Sequence, residues 1–412
     1  MSIIKAFKAL RPVKDKVHLV ATRPYYSYKK KILRAKLQSN PYTFLRIINP
    51  EFGLPKEERK AKTRKAHTDL VSIKYKEFID KQVLIVDEVE SLYLYRQTIN
   101  NHSFIGTIGG ASVEEYQKGK IKKHEATITS REEMFTEYLD VVGYNAEPVL
   151  LSHSPNEKLN QLYTDLTTTS PEYHFTTTDT VEHELWIVEG DKKNEIINLF
   201  EEIDFAYIAD GHHRCASSSR LKNRRVKKGI ECKNQDFFLS FFIDETKIKV
   251  YEYNRLVKNI GNVSKEDFVN QLSQHFTVLP LEGPAKPRKE HEIVLLFEDS
   301  WYLLNCKAEI INEAHPVQSL DSEILTTHIL GPLLDIRDLK TDRNINFISG
   351  TESRKRMLDK MTRYGYEIAF LLYPVNVEQI KKVADNLMIM PPKSTWIEPK
   401  MRSGLTIYNI NE

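Results

Sequence analysis

AYIADGHHRCASSSR, residues 206–220, carries the clearest indication of the fold. A short apolar run ends at Asp210 and Gly211, and the residues that follow have the composition of a helix. Glycine allows the tight left-handed turn that can join a strand directly to a helix. The stretch therefore predicts a buried strand, a glycine turn and a helix.

The residues before this stretch extend the same pattern. ELWIVEG (184–190) predicts another buried strand, and KNEIINLFEEI (193–203) predicts a helix that connects it to the strand ending at Asp210. Further upstream, SLYLYRQTI (91–99) and SFIGTIGGASV (103–113) predict a pair of strands. Alternating strands and helices of this kind indicate a mixed α/β fold.

The second half of the chain predicts more strands and a domain boundary. KVYEYNRLV (249–257) reads as a strand, and EIVLLFEDSWYLLN (292–305) reads as a hairpin. Between them, GPAKPRKEH (283–291) combines glycine, two prolines and charged residues, which is typical of a linker. We therefore expect an N-terminal α/β region over residues 1–282 and a C-terminal α/β region over residues 283–412.

Composition excludes several classes of protein. The 412 residues include 60 Lys and Arg against 57 Asp and Glu, so the net charge of +3 gives no chain-wide attraction to nucleic acid or to a membrane surface. Cys215, Cys232 and Cys306 are widely spaced, which argues against a disulfide framework and a cysteine-rich zinc site. The longest apolar runs are too short to span a bilayer. We expect a cytoplasmic protein without a membrane segment.

The start of the predicted helix crowds three potentially cationic side chains together. His212, His213 and Arg214 follow Asp210 and Gly211 directly. A helix N-terminus is already positive, so added cations repel it unless an anion binds there. We predict a phosphate site in which Asp210 caps the helix and the other four residues contact phosphate oxygens. A solvent-facing capped helix and a metal site built on the two histidines are the alternatives.

A second candidate lies in IKKHEATITSREE, residues 121–133. A glutamate near a bound phosphate donor can act as general base toward a hydroxyl, and Glu125 has the required chemistry. His124 beside it is the rival for that role. The alternative is an exposed segment that leads into a helix.

A third candidate is PPKSTWIEPK, residues 391–400. Lys393, Ser394, Thr395 and Lys400 place cations and hydroxyls on a loop held by three prolines, which suits phosphate or carboxylate. The alternative is a solvated C-terminal loop. We expect that removing residues 390–412 leaves a folded core.

Several blocks together resemble a known family. IIKAFKALRP, NPYTFLRIINPE, YQKGKIKKHEATITSREE, AEPVLLSH, YIADGHHR, YEYNRLV and MPPKSTWIEPKMRSGL are similar to successive blocks of the family named domain of unknown function 1015. The resemblance spans nearly the whole chain.

The DGHHR block is also similar to the signature of the ParB/sulfiredoxin-like superfamily, which includes kinases of free serine. This resemblance implies a ParB/sulfiredoxin-like core with large additional α/β elaborations. It also implies that Asp210, Gly211, His212, His213 and Arg214 bind donor phosphates, with Asp210 and His213 taking part in catalysis. Chain order gives Glu125 as the base that activates serine.

The resemblance implies a phosphotransferase that acts on free L-serine or O-phosphoserine. The expected donor is ADP, ATP or pyrophosphate, with Mg²⁺ offsetting its charge. The alternatives are dephosphorylation of phosphoserine, a ParB-like nucleotide-dependent DNA-binding protein, and a phosphometabolite sensor without turnover. Near-neutral net charge argues against a nucleic-acid partner. The sequence does not indicate the oligomeric state.

Overall fold

The computed structural model of the chain describes residues 3–61, 63–258 and 264–412. The helices in these ranges are α1 (Val17–Val20), α2 (Lys30–Ser39), α3 (Leu45–Ile48), α4 (Lys56–Ala61), α5 (Arg64–Asp80), α6 (Val113–Gln117), α7 (Thr129–Val142), α8 (Glu157–Leu166), α9 (Gly190–Glu201), α10 (His212–Lys227), α11 (Lys265–Leu272), α12 (Asp321–Leu325), α13 (Arg354–Tyr364) and α14 (Val377–Asp385).

The strands are β1 (Ile4–Lys5), β2 (Leu10–Pro12), β3 (Leu84–Val86), β4 (Leu92–Ile99), β5 (His102–Ser112), β6 (Ile121–Lys122), β7 (Tyr144–Asn145), β8 (Val149–His153), β9 (Tyr173–Thr176), β10 (Glu182–Val188), β11 (Ala206–Asp210), β12 (Phe237–Asp244), β13 (Lys249–Tyr251), β14 (Tyr253–Val257), β15 (Phe276–Leu281), β16 (Glu292–Phe297), β17 (Ser300–Cys306), β18 (Ile345–Ser349), β19 (Ile368–Leu372), β20 (Trp396–Glu398) and β21 (Tyr408–Asn409).

Two compact units divide the chain. Unit 1 comprises Met1–Lys122, Thr127–Ile248 and Pro399–Glu412, and unit 2 comprises Lys123–Ala126 and Lys249–Glu398. The predicted boundary at 282/283 falls between β15 and β16, which belong to the same sheet of unit 2. The division into independently folding regions 1–282 and 283–412 stays a prediction.

A nine-stranded mixed sheet forms the centre of unit 1 in the described residues. Its strand order is β6-β11-β8-β12-β5-β4-β10-β9, with β1 also paired to β5. The pairs β8–β12 and β11–β6 are parallel, whereas β4–β5, β5–β12 and β8–β11 are antiparallel. Strands and helices mixed in this way confirm the predicted α/β class.

Burial explains the composition of the central strands. In β12, which reads FFLSFFID, every residue after Phe237 is buried, because both faces of this strand are covered. Strands buried on both faces are near-continuous apolar runs rather than alternating ones. The predicted pairing of 91–99 with 103–113 is confirmed by the antiparallel pair β4–β5.

A six-stranded antiparallel sheet, in the order β15-β17-β16-β19-β14-β18, forms the centre of unit 2 in the described residues. Its two faces bury separate apolar clusters. Val257 of β14 belongs to the cluster that contains α11 and α12 residues, and Leu256 belongs to the cluster that contains Met357 and Met361 of α13. Alternate residues of β14 therefore face opposite sides of the sheet. The predicted hairpin at 292–305 is confirmed by β16 and β17.

The helices of the described residues fall short of a membrane span, since none of them is both long and apolar enough to cross a bilayer.

Candidate active site

Strand β11, Gly211 and helix α10 form the predicted strand–turn–helix unit. Residues 206–209 are buried, and the register of β11 with β8 shifts between Ile208 and Asp210. Such an irregularity changes the direction in which the next side chain points. Gly211 is the N-cap of α10 and has a φ of 108°, a left-handed conformation that favours glycine.

Close packing also requires glycine at position 211. A Cβ added there would lie 2.9 Å from Nε and 3.0 Å from Cζ of Arg214, so the guanidinium lies directly against the Gly211 backbone. The turn therefore depends on Gly211 for its conformation and for the space that Arg214 fills.

The carboxylate of Asp210 is held by two cations within unit 1. Lys400 Nζ donates to Oδ1 at 2.9 Å, and Arg214 Nη2 donates to Oδ2 at 2.7 Å. Burial disfavours the charged carboxylate, but the charges of Lys400 and Arg214 outweigh it and hold the pKa of Asp210 well below its usual range. Asp210 is ionised, and the N-cap position of α10 is occupied by Gly211 and not by Asp210.

Arg214 contacts acceptors on three residues, Glu147, Pro148 and Asp210, besides lying against Gly211. Its Nη1 lies 3.0 Å from Glu147 Oε1 and donates to the carbonyl of Pro148 at 2.5 Å, while its Nη2 donates to Asp210. Burial disfavours the charged guanidinium, but Glu147 and Asp210 raise its pKa above the ordinary value. The guanidinium thus links the start of α10 to the residues just before β8. Its contact with phosphate stays a prediction.

The two histidines lie in the first turn of α10. His212 is buried, whereas His213 is partly exposed. Charge on His212 contributes to the lowered pKa of Asp210, after the larger effects of burial, Lys400 and Arg214. The carbonyl of His213 accepts a hydrogen bond from Ser217 Oγ at 2.6 Å. Both residues are thus in the predicted place at the helix start.

Residues 399–403 bring further charged groups to this part of unit 1. Ser403 Oγ donates to Glu147 Oε2 at 3.0 Å, and Ser403 exchanges two backbone hydrogen bonds with Thr22. Arg402 Nη2 donates to Asp179 Oδ2 at 3.0 Å. The segments around residues 22, 147, 210 and 402, far apart in sequence, therefore meet in one network.

Glu147, Asp179 and Arg402 are the residues of this network that sequence reasoning missed as site residues. Glu147 and Arg402 lie in quoted family blocks, AEPVLLSH and MPPKSTWIEPKMRSGL, which was the available signal. Nothing in the local pattern around Asp179 indicates its contact with Arg402.

The remaining predicted residues lie together in unit 2. His124 is buried, Glu125 is exposed, and the carbonyl of His124 accepts from the backbone N–H of Met390 at 2.9 Å. This bond places the 123–126 segment beside the start of the proline loop. Residues 123–126 of the second candidate (121–133) therefore lie next to the start of the third candidate (391–400).

Within the proline loop the side chains differ in exposure. Ser394 is buried, donates to the carbonyl of Pro391 at 2.8 Å and contacts Ser322 Oγ at 3.0 Å. Lys393 is exposed, has a φ of 60°, and places its Nζ 5.5 Å from the centre of the Tyr253 ring. Thr395 is partly exposed. Lys400, predicted with these residues, instead belongs to unit 1 with Asp210.

A preformed metal centre is not found in the part of the chain that the structure describes. No group of three or more His, Cys, Asp or Glu side chains there is arranged to hold a metal ion. The two oxygens of Asp210 accept from Lys400 and Arg214, so this carboxylate is already committed to ion pairs.

The fold and the site define a mixed α/β protein in which a glycine turn presents a helix N-terminus beside a cation-bound aspartate. Residues 4–323 match the family model described as protein of unknown function DUF1015. The chain belongs to this family, as its sequence blocks predicted.

Solved structures with partial likeness were also found. A mutant free serine kinase in complex with AMP is 15% identical, with a TM-score of 0.39 over 73% of this chain and 91% of that chain. A conserved hypothetical protein from Pyrococcus furiosus is 15% identical, with a TM-score of 0.35 over 72% and 95% of the two chains. SbnI with a C-terminal truncation, from Staphylococcus aureus, is 13% identical, with a TM-score of 0.37 over 71% and 82%. No curated protein matches the chain. Likeness at this level does not determine the activity of the chain.

Proposed function

We propose that the chain transfers a phosphoryl group from a small donor, which is ADP, ATP or pyrophosphate, to the hydroxyl of free L-serine. The observation that supports this proposal is the N-terminus of α10, which follows the left-handed N-cap Gly211 and lies beside ionised Asp210. In the reaction the serine oxygen forms a bond to phosphorus, the bond from phosphorus to the donor breaks, and a base accepts the hydroxyl proton.

The donor's phosphates would bind at the start of α10. The first N–H groups of a helix have no acceptor inside the helix, and the dipole makes this end positive. Lys400 and Arg214 bring two fixed cations to Asp210 beside this helix end. His212 and His213 in the first turn add donors whose charge depends on pH. Preorganised dipoles and cations of this kind are the main contribution a protein makes to phosphoryl transfer.

Asp210 would act as a positioning residue in this site. A carboxylate with a pKa far below neutrality is a weak proton acceptor, so Asp210 is poorly suited to be the general base. Its two ion pairs instead fix Lys400 and Arg214 at defined places. This proposal assigns Asp210 an orienting role in place of the catalytic one expected from the sequence.

Glu125 is the general base in this proposal. Glu125 is exposed and carries a carboxylate, and His124 is the rival, although its ring is buried. This assignment rests on chain order and on the family block, and it stays a prediction. Mg²⁺ would enter bound to the phosphates of the donor, as is usual for this ion.

The test is an incubation of purified protein with L-serine, Mg²⁺ and each donor in turn, followed by phosphorus NMR. Formation of O-phosphoserine with one donor supports the proposal. Donor binding without any phosphoserine, measured by calorimetry, would indicate a sensor. Release of phosphate from added O-phosphoserine alone would indicate a phosphatase, and a salt-dependent DNA mobility shift would indicate a ParB-like DNA-binding protein.

A further inference from the structure

Arg255 in strand β14 differs from the other buried arginines of the described residues. Its side chain is fully buried, and no carboxylate there forms an ion pair with it. The other three buried arginines each pair with an acidic residue: Arg11 with Asp87, Arg225 with Asp140, and Arg402 with Asp179.

One edge of the Arg255 guanidinium has no acceptor. Nη1 donates to the carbonyl of Tyr253, whereas Nε and Nη2 have no hydrogen-bond partner among the residues that the structure describes. Nε–H and one Nη2–H point in the same direction from the planar guanidinium. Their spacing matches the two oxygens of a carboxylate, so this edge of the guanidinium is a fork suited to side-on binding.

Burying the Arg255 charge without an acceptor at this edge raises the free energy of the folded chain. Burial lowers the pKa of Arg255 to about 9, so the side chain is still charged at neutral pH. Moving such an ion out of water costs several kcal/mol, and only a well-placed anion with good hydrogen bonds offsets that cost. The isolated chain therefore holds an unpaired cation that an anionic ligand would stabilise.

The acidic residue nearest in sequence, Glu252, is held elsewhere. Its carboxylate lies against Gly350, where an added Cβ would be 2.1 Å from the carboxylate carbon, and Lys286 Nζ lies 3.5 Å from Oε1. Glu252 is therefore fixed by contacts other than the Arg255 fork.

A row of aromatic and cationic side chains surrounds Arg255 within unit 2. Its Cζ lies 5.6 Å from the centre of the Phe347 ring, and the Phe347 and Tyr253 rings are 6.3 Å apart. Lys393 Nζ lies 5.5 Å from the centre of the Tyr253 ring. Lys393 has left-handed backbone, a strained conformation for a non-glycine residue that clusters at ligand sites. Two aromatic rings in mutual contact, Phe347 and Tyr253, thus each lie beside one cation, Arg255 and Lys393.

We propose that Arg255 binds a small carboxylate side-on through Nε and Nη2, in a site of unit 2 formed with Phe347, Tyr253 and Lys393. A single carboxylate matches the fork in shape and balances one guanidinium in charge. Because Arg255 is out of contact with water, the ligand enters when the surrounding side chains open. This carboxylate site does not depend on the proposed function.

Calorimetric titration of the full chain tests the site. The probes are L-serine, glycine, acetate, inorganic phosphate and 2-aminoethanol, which keeps the amine and hydroxyl of serine but lacks the carboxylate. We expect at least one carboxylate to bind and 2-aminoethanol to bind at least tenfold more weakly than L-serine. Arg255→Lys, which keeps the charge but loses the fork, and Arg255→Met should weaken the carboxylate about 10- to 100-fold. Arg337→Met, at an exposed arginine of unit 2, is the matched control and should change nothing.

Thermal unfolding separates a binding role from a structural one. Without ligand, Arg255→Met should leave the Tm unchanged or raise it, because an apolar side chain replaces an unpaired buried charge. A bound carboxylate should raise the Tm of the unsubstituted protein and not that of Arg255→Met. Four results would each overturn the site. Two concern the variants: a lower Tm for ligand-free Arg255→Met, or a carboxylate affinity that is unchanged in both variants. Two concern the unsubstituted protein: no binding of any carboxylate, or tighter binding of phosphate than of every carboxylate.

The site and the proposed function fail in different ways. Phosphoserine formation by a protein whose carboxylate affinity is unchanged in Arg255→Lys would contradict the site and leave phosphoryl transfer in place. Carboxylate binding that depends on Arg255, in a protein that transfers no phosphoryl group, would support the site and contradict the proposed function.

Discussion

Lys400 Nζ lies 2.9 Å from Asp210 Oδ1, and the two residues are 190 positions apart in the sequence. The other oxygen of the same carboxylate accepts from Arg214 Nη2. Asp210 therefore joins the 399–412 segment to the first turn of α10. This relationship means that the charge at the helix start depends on a residue far away in the chain.

Replacing Lys400 with Met should destabilise unit 1 in a pH-dependent way. The ion pair lowers the folded-state pKa of Asp210, so its stabilisation is present above the unfolded pKa of about 3.9 and is lost as the pH falls toward the lower folded value. We expect a loss of about 1–2 kcal/mol at pH 7, reduced because both side chains are partly exposed. Urea unfolding of both proteins at a series of pH values measures this loss in the free energy of unfolding.

Lys400→Arg is the control for this prediction, because it keeps the positive charge beside Asp210. It should retain most of the stability at pH 7. If the difference between Lys400→Met and the unsubstituted protein does not shrink below about pH 4, the ion pair is not its cause.

Gly211→Ala should destabilise the protein more than Gly229→Ala. Both glycines have positive φ values, 108° and 70°, so alanine is strained at either position. Only at Gly211 does the new Cβ meet a neighbour, the Arg214 guanidinium, whereas Gly229 has nothing within 4 Å. We expect the free energy of unfolding to fall by about 1 kcal/mol in Gly229→Ala, from backbone strain alone, and by more in Gly211→Ala. Chemical denaturation measures the free energy of unfolding of both variants. Equal decreases for the two would show that the Arg214 guanidinium moves away from the new Cβ without destabilising the protein.

Arg214→Lys should reduce both stability and turnover. Lysine cannot contact Glu147, Pro148 and Asp210 together, because it lacks the planar fork, so we expect a loss of about 1–3 kcal/mol. Turnover per folded molecule, in the phosphoserine assay, should also fall about tenfold or more. Arg220→Lys, further along the same helix, is the control, because Arg220 pairs with Glu132 on α7. Full turnover in folded Arg214→Lys would restrict Arg214 to a structural role.

Glu125→Gln should lower turnover by about 10²–10⁴ and leave donor binding intact, because glutamine keeps the shape but cannot accept the serine proton. Phosphoserine formation and calorimetric donor titration measure the two effects. Glu378→Gln is the control, since Glu378 is another exposed glutamate of unit 2. Near-normal turnover in Glu125→Gln would transfer the role of base to His124, and loss of donor binding would point to a ligand contact instead.

The local part of the site was predictable from the sequence. An apolar run, a glycine and a polar helix start determine β11, the turn and α10 through short-range rules, and the structure has them as expected. The partners of Asp210 were not predictable in this way, because Lys400 reaches it through tertiary contacts. Local pattern suggested Asp210 as the helix cap, whereas the N-cap residue is Gly211 and the Asp210 oxygens accept from Lys400 and Arg214.

The packing of the C-terminal residues was not predicted either. Leu405, Ile407 and Tyr408 are buried, Ile407 exchanges backbone hydrogen bonds with Leu10, and Tyr408 lies in strand β21 against β7. Removing residues 390–412 would expose this part of the unit 1 core, and the expectation that a folded core remains stays a prediction. Prolines and charged residues at the start of the segment suggested a loop, but its apolar second half packs inside.

The position of residues 399–412 in unit 1 has a consequence for the order of folding during synthesis. A ribosome makes these residues only after the whole of 249–398, which at about 5–20 residues per second delays them by roughly 8–30 s. Until then the nascent chain lacks Lys400, Ile407 and strand β21. Unit 2 can therefore complete its sheet while unit 1 is still open, and the charge arrangement around Asp210 forms last.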